Sequence, residues 1–344
     1  MKRESPVGQS AAVSLALTVM LFLLPGAAVR PWSGELHEGE EYSVETETNP
    51  AEIAPGSPVL RVLDGETVTR QEPEEYLAGV VRAEMPASFE LEALKAQAVA
   101  ARTYTLYKLL GGGNHGETAD ICTDPACCQA WLGEVQAREN WGPRAEEYEA
   151  KIRRAVEETE GQTILYEGAP ILAVFHSSSA GRTRAADAVW QSGLPYLQPV
   201  DSPEAGERIP NYYSRAEFST EEVRSALLAS CPQADLSGRA ETWLRNAQRD
   251  GAGAVETLEV GGVRVKGSRL RGALGLRSAC FTWETGADGF TFFVTGYGHG
   301  VGLSQYGAEA MAAAGADWRE IIAHYYTGVT VERWAWGERF TNSA

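Results

Sequence analysis

Tyr76 to Leu110 reads YLAGVVRAEMPASFELEALKAQAVAARTYTLYKLL, and the fold depends on where this stretch divides. Pro86 donates no backbone N–H, and its ring keeps Met85 out of helical geometry. A first helix is therefore expected to stop near Glu84. Ser88 is placed to cap a second helix, with Glu90 and Glu92 adding negative charge to its first turn. In that helix Leu91, Leu94, Ala98, Ala101 and Thr105 recur at helical spacing. Lys95 and Arg102 lie seven residues apart and so share one face beside this stripe. A helix this rich in alanine lets another element or a ligand approach closely. One carboxylate at a sharp corner, Glu84, with two cations on a neighbouring edge, points to a site.

Working outward, VLRVL and ETVTR around Asp64-Gly65 predict a hairpin over 59–70. The glycines at 111–113 close the second long helix. Residues 141–161 read as one charged amphipathic helix, and 163–175 as two strands turning at Glu167-Gly168. Further on, the pattern predicts a capped helix over 219–228, another over 240–249 and a hairpin around Gly261-Gly262. A short helix over 268–274 and more strand over 279–293 follow. Residues 307–314 form a small-residue helix. Asp317 and Glu320 make a capping box for the next helix, which Gly328 ends. Hairpins alternate with helices without a regular βαβ repeat, so the class is α+β, arranged around a cleft. Residues from about 201 to 293 are expected to form an inserted sub-domain.

With 344 residues the chain can bury one large core or two smaller ones. Its net charge of −17 argues against nucleic acid, which is bound by Lys and Arg on phosphate. A carbohydrate needs no such basic field. Residues 1–29 carry Lys2 and Arg3 ahead of an uncharged run from Ala11 to Leu24, the pattern of an export signal or a membrane anchor. Residues 30–58 are acidic, contain proline and show no periodicity, and are expected to be a disordered linker. The main domain is expected over 59–334, with the chain after Val331 running peripherally and 335–344 as its tail.

Three further stretches carry chemistry. His115 to Trp131 contains Cys122, Cys127 and Cys128, three of the five cysteines. Three readings are open: zinc on Cys122, Cys128 and His115, a disulfide from Cys122 to Cys127 or Cys128, or structural thiols. Cys231 and Cys280 either pair or stay reduced. HSSSAGRT at 176–183 follows a strand end and suits a cleft, although serine hydroxyls also tie down turns. No G-x-S-x-G elbow is present, which ranks a serine hydrolase low. GYGHGVGLSQY at 296–306 alternates glycines, allowing close backbone approach, but lacks the Gly-Lys-Ser/Thr ending of a phosphate loop. Its polar groups are His299, Gln305 and Tyr306. In the loop over 189–210, Trp190 and Tyr196 suit sugar stacking or plain packing equally.

YLAGVVRAEMPASFELEALKAQAVAARTY, ICTDPACCQAW, VFHSSSAGRT and GYGHGVGLSQYGAEAM occur in that order. Together they resemble stage II sporulation protein D, a peptidoglycan lytic transglycosylase, and the related amidase enhancers. The resemblance covers about Val59 to Val331. It implies that Glu84 is the acid/base of a reaction closing a 1,6-anhydro ring on glycan strands already lacking stem peptides. It also implies substrate contacts from His176, Ser177, Ser178, His299, Gln305 and Tyr306. Some members of the family carry a cysteine/histidine zinc site in the cysteine segment. Here Cys127 stands where a histidine would be expected, which leaves the third ligand open. A retained N-terminal membrane anchor, a catalytic domain outside the cytoplasm and a role in sporulation engulfment are implied too. The implied partners are an amidase of the stage II sporulation protein P type and engulfment membrane proteins. To deliver a proton Glu84 must hold one, which burial against Val80, Val81 and Met85 favours. Lys95 and Arg102 are accordingly expected on substrate acetamido or lactyl groups or on loop carbonyls, since a cation against Glu84 would lower its pKa. Two alternatives stand beside this reading: a non-catalytic enhancer of an amidase, and a zinc-dependent cell-wall hydrolase with an open metal position.

Overall fold

The computed structural model describes residues 57–336, except 112–114, 117, 191 and 205. The expected anchor over 1–29, nearly all of the expected linker and the end of the tail lie outside the described residues. In chain order the helices are α1 (Pro73–Glu84), α2 (Leu91–Leu110), α3 (Glu134–Trp141), α4 (Ala145–Glu157), α5 (Ala186–Val189), α6 (Thr220–Ser230), α7 (Gly267–Leu274), α8 (Gln305–Ala313) and α9 (Trp318–Tyr325). With several small sheets between them they make a mixed α+β fold. No described helix is long and apolar enough to cross a membrane.

α1 begins on Pro73, with Glu74 and Glu75 in its first turn, and ends at Glu84 because Met85 turns extended ahead of Pro86. α2 starts later than expected. Phe89 N–H bonds to the Pro86 carbonyl, so residues 86–89 are taken up in a turn. The N-cap is Glu90, with no side-chain cap, and Ser88 is left exposed outside the helix. The Glu309 carboxylate instead receives the Glu90 N–H at 2.6 Å.

α2 is buried nearly all round, with Ala93, Leu94, Ala96, Ala98, Val99, Ala100 and Ala101 fully enclosed. Small side chains on every face let α1, α4, α8, α9 and the strand Gln162–Tyr166 all pack directly on it. Enlarging a position such as Ala98 would cost about 1–3 kcal/mol by overpacking. Two buried arginines tie neighbouring helices together. Arg82 of α1 donates to Glu149 of α4 at 3.0 and 2.6 Å. Arg102 of α2 pairs with Glu74 of α1 and reaches the carbonyls of Val156 and Gln162.

The hairpin is Leu60–Asp64 with Thr67–Gln71, turning through Gly65 at φ 60°. Its first strand also pairs in parallel with Ile121–Cys122, which brings the cysteine segment against the core. Gln162–Tyr166 turns at Glu167-Gly168, both at positive φ, into the short strand Ala169–Pro170. The expected second strand over 170–175 is then irregular until Phe175–His176, which pairs in parallel with Leu303–Ser304.

Three other expectations change. The helix expected over 141–161 is shorter, Ala145–Glu157, because Gly142 and Pro143 make a 3₁₀ turn ahead of it that separates it from α3. Residues 244–249 form a strand rather than a helix, because pairing with Val255–Val260 overrides local propensity. The segment after Val331 is not peripheral at its start: Thr330–Arg333 is an edge strand on Gln162–Leu165. Two hydrophobic clusters result. One surrounds α2; the other gathers Val223, Leu227, Trp243, Leu258, Phe281, Phe290 and Phe292. The second belongs to two three-stranded sheets, with α6 and α7 packed beside them.

Candidate active site

The corner after α1 presents the Glu84 carboxyl half-buried, with Val80, Val81 and Met85 buried around it in sequence. Each of its oxygens accepts one hydrogen bond. Oε1 takes the Ala130 backbone N–H at 3.1 Å, and Oε2 takes Gln305 Nε2 at 3.2 Å. Burial pushes the carboxyl above its usual range, while these two donors pull it part of the way back. Glu84 is thus where the corner motif, the cysteine segment and the glycine-rich motif meet.

Ala130 lies two residues after Cys128, in a segment clasped to the core at several points. Gln129 Nε2 donates to Thr105 of α2 at 2.9 Å, and Leu132 N–H donates to the Gly79 carbonyl at 3.0 Å. A side chain on Gly79 would collide with the Trp131 indole, which occupies the place where a Cβ would stand and would have to shift.

His115, Cys122, Cys127 and Cys128 place their ligand atoms within 4.8 Å of one another, a group that could hold a metal ion. His115 Nε2 is 3.6 Å from both Cys127 and Cys128 Sγ, and those sulfurs are 3.7 Å apart. Thiolates about 2.3 Å from a tetrahedral zinc lie about 3.8 Å apart, so the spacing fits. None of the five cysteines is in a disulfide, which removes the three pairings weighed for them. Burial pushes the Cys122 and Cys128 thiols up; a cation among them favours the deprotonated form. Cys127 completes the set as its fourth member. The signal for it was its own thiol, obscured by the expectation of a histidine there.

Gln305 opens α8. Ser304 caps that helix by accepting the Gly307 N–H at 3.3 Å and donates to Glu204 Oε1 at 3.0 Å. The same Glu204 oxygen takes the Ser179 N–H and hydroxyl, each at 2.6 Å. Glu204 therefore joins HSSSAG to GLSQY. It stands alone in a loop with no motif around it, and nothing local in the sequence marks it. Tyr306 donates its N–H to the Ser177 carbonyl at 3.0 Å and sets its ring edge-on to Phe89, 5.0 Å between centroids.

The glycines of GYGHGVG all adopt positive φ, and Gly298, at 114°, would bring a Cβ within 2.7 Å of His176 Cβ. This lets the loop lie directly on residues 174–179. His176 donates from Nδ1 to the Val301 carbonyl, and His299 Nδ1 accepts the Val301 N–H, both at 3.1 Å. Their ring centroids are 5.5 Å apart, with Trp190 a further neighbour of His299. Burial lowers His176 to about 4 and His299 to about 3, the latter helped by His176 and Arg271. Both rings are therefore neutral near pH 7. Ser178 backs Tyr297 through its main chain, and its buried hydroxyl has no hydrogen-bond partner among the described residues.

The two cations are not free for substrate, although Arg102 does reach main-chain carbonyls, those of Val156 and Gln162. Lys95 pairs with Glu92 at 2.7 Å and with Glu158 at 2.6 Å. Arg102 is fully buried on Glu74. A side chain with no exposed surface is not available to a polymer, so Arg102 braces α1 against α2 rather than meeting substrate. Neither cation pairs with Glu84.

The stage II sporulation protein family matches residues 64–166. The chain belongs to the stage II sporulation protein D family. It is 37% identical over 259 residues to stage II sporulation protein D of Bacillus amyloliquefaciens, covering 75% of this chain and 73% of that protein. It is 33% identical over 335 residues to stage II sporulation protein D of Bacillus subtilis (strain 168), covering 93% of this chain and 95% of that one. To the amidase enhancer of Bacillus subtilis (strain 168) it is 30% identical over 302 residues, covering 74% of this chain but 40% of that protein.

Proposed function

We propose that this chain acts at the cell wall during sporulation as a lytic transglycosylase, cutting peptidoglycan glycan strands that lack stem peptides, with Glu84 as its one acid and base. The observation that carries this reading is the environment of Glu84. It is a half-buried carboxyl held above its usual range, at the point where three motifs converge, while Lys95 and Arg102 are committed to other carboxylates. A protonated Glu84 gives its proton to the glycosidic oxygen as the C–O bond breaks. The carboxylate left behind is received by the Ala130 N–H and the Gln305 amide. It then takes the proton of the sugar's C6 hydroxyl, whose oxygen closes the 1,6-anhydro ring on the anomeric carbon. Glu84 ends protonated again, and no water is consumed. Ser177, Ser178, Tyr306 and the neutral His176 and His299 are proposed to shape the cleft around the strand.

Zinc on His115, Cys122, Cys127 and Cys128 would have four protein ligands, a closed coordination that supplies a cross-link rather than an activated water. Those residues lie just ahead of Ala130, so fixing them fixes the donor to Glu84. The hydrolase alternative requires an open position, which four ligands do not leave. Residues 1–29 are proposed to anchor the chain in the cell membrane with Glu84 outside the cytoplasm. An amidase that strips stem peptides, of the stage II sporulation protein P type, and engulfment membrane proteins are the proposed partners.

The identity to an amidase enhancer favours one second reading, a protein that binds glycan and stimulates an amidase without cutting. Mass spectrometry of peptide-free strands incubated with the parent chain and with Glu84→Gln separates the two. The transglycosylase gives 1,6-anhydro ends that vanish in the variant. Reducing ends, or no cleavage by folded parent protein, would reject it.

A further inference from the structure

Beyond Glu84, an open groove of about 550 Å³ lies on the second group of sheets. Its floor is the outer face of the sheet formed by Tyr213–Ser219, Gly289–Thr295 and Phe281–Thr285. Strand alternation puts Phe292 and Val294 inside and Phe293 outside, level with Thr282 on one side and Arg215 on the other. Phe293 is 41% exposed and Tyr213 70%, two of the four exposed large aromatics among the described residues. Exposed aromatics gathered on one face mark an interaction surface rather than scattered exposure. The groove lining holds Arg215 and Arg249 and no acid, in a chain whose net charge is −17. Glu217 pairs with Arg215 beside it, and Arg249 is steadied by the Gly253 and Phe281 carbonyls at 2.8 Å each.

The face is continuous with the candidate active site. The strand that carries Phe293 ends at Thr295, where Gly296 at φ 76° turns the chain into Tyr297. Tyr297 exchanges two main-chain hydrogen bonds with Ser178, at 3.0 and 2.8 Å, and Ser177 holds Tyr306. Flat aromatic rings suit the apolar faces of sugar rings, and the Thr282 hydroxyl beside Phe293 suits their hydroxyls. A strand without stem peptides bears a free lactyl carboxylate on every second sugar, which suits Arg249 and Arg215, the latter shared with Glu217 at the groove's edge.

We propose that this outer sheet face is a second glycan-binding site, taking a peptide-free strand with Phe293 and Tyr213 under sugar rings and Arg215 and Arg249 toward lactyl carboxylates. The choice of glycan rests on the function proposed above. The face holds a long strand that also reaches Glu84, so affinity depends on strand length.

The test uses the full chain carrying Glu84→Gln, which stops turnover, and measures binding of a peptide-free tetrasaccharide against strands of a dozen sugars or more. Affinity is expected to rise at least about tenfold with length in the otherwise unaltered chain, and that gain is expected to vanish in Tyr213→Ala/Phe293→Ala. Tyr213→Trp/Phe293→Trp keeps the rings and is expected to keep the gain. Arg215→Glu is expected to reduce the gain on peptidoglycan strands and not on N-acetylglucosamine oligomers, which carry no carboxylate. A gain that survives loss of both rings overturns the proposal and leaves the face to a protein partner. Failure of the transglycosylase reading looks different: parent protein makes no anhydro ends, yet the length-dependent gain still depends on Phe293.

Discussion

Gly79→Ala sets two effects of known size against each other. Gly79 sits in the middle of α1, where alanine improves helix stability by about 1 kcal/mol. A Cβ at this position falls 2.5 Å from Cδ1 and Cε2 of the Trp131 indole and nearer still to its nitrogen. Ordinary contact is about 3.5–4.0 Å, so the indole must move by about 1 Å or more. Overpacking of that kind costs about 1–3 kcal/mol. Movement also loosens the bond from Leu132 N–H to the Gly79 carbonyl, worth about 1 kcal/mol. The net loss is about 1–3 kcal/mol, which calorimetry reads as a melting temperature lower by several degrees, at about 2–4 °C per kcal/mol. Catalysis should suffer more than stability. Ala130 is bonded to Trp131, and its N–H holds Glu84 Oε1; a hydrogen bond to a carboxylate is worth about 1.5–3 kcal/mol, or about 10- to 100-fold in rate. The variant is therefore expected to melt lower, to show altered tryptophan fluorescence, and to cut strands at least about tenfold more slowly. A variant that melts at or above the parent with unchanged fluorescence would refute the clasp between α1 and the cysteine segment.

Glu84→Gln should raise the melting temperature at neutral pH by an amount corresponding to about 0.5–2 kcal/mol. The sign follows from the raised folded-state pKa: the neutral carboxyl's contribution is whole below the unfolded value and is lost as pH rises through the folded one. The gap between variant and parent should therefore close on acidification, and a gap that widens in acid would contradict the burial argument. Arg102→Met leaves the partly exposed Glu74 without its fully buried partner and should cost about 3 kcal/mol in chemical denaturation; a loss under about 1 kcal/mol would mean that Arg102 is not buried in solution. The parent chain is expected to bind one zinc, and Cys127→Ser to weaken it more than about a hundredfold in competition with a chromophoric chelator. Equal affinity in the variant would return the site to three ligands.

How far the sequence could be read tracks the range of the forces involved. The corner at Met85-Pro86, the end of α2 at Gly111, the cap at Ser219 and the capping box at Asp317 came out as read, because a cap or a proline acts within one turn. Ser88 failed as a cap because a local turn took it first, and a carboxylate on distant α8 serves the end of α2 instead. Residues 244–249 have helix-compatible composition and became a strand only through Val255–Val260. The site shows the same division. Glu84 was visible from its own neighbours, but its two hydrogen-bond donors come from Ala130 and Gln305, and a backbone N–H has no signature in a sequence. Lys95 and Arg102 were read correctly as sharing an edge of α2 and wrongly as facing a ligand, since only the packing of α1 and α4 reveals Glu74 and Glu158 waiting there. The same logic explains why a glutamate with no motif, Glu204, matters to the arrangement. One of its oxygens gathers Ser179 and Ser304 from segments more than a hundred residues apart. That bond fixes the cap of α8, the cap fixes the start of the helix, and the start of the helix is Gln305, which holds the carboxyl that the whole corner was built to present.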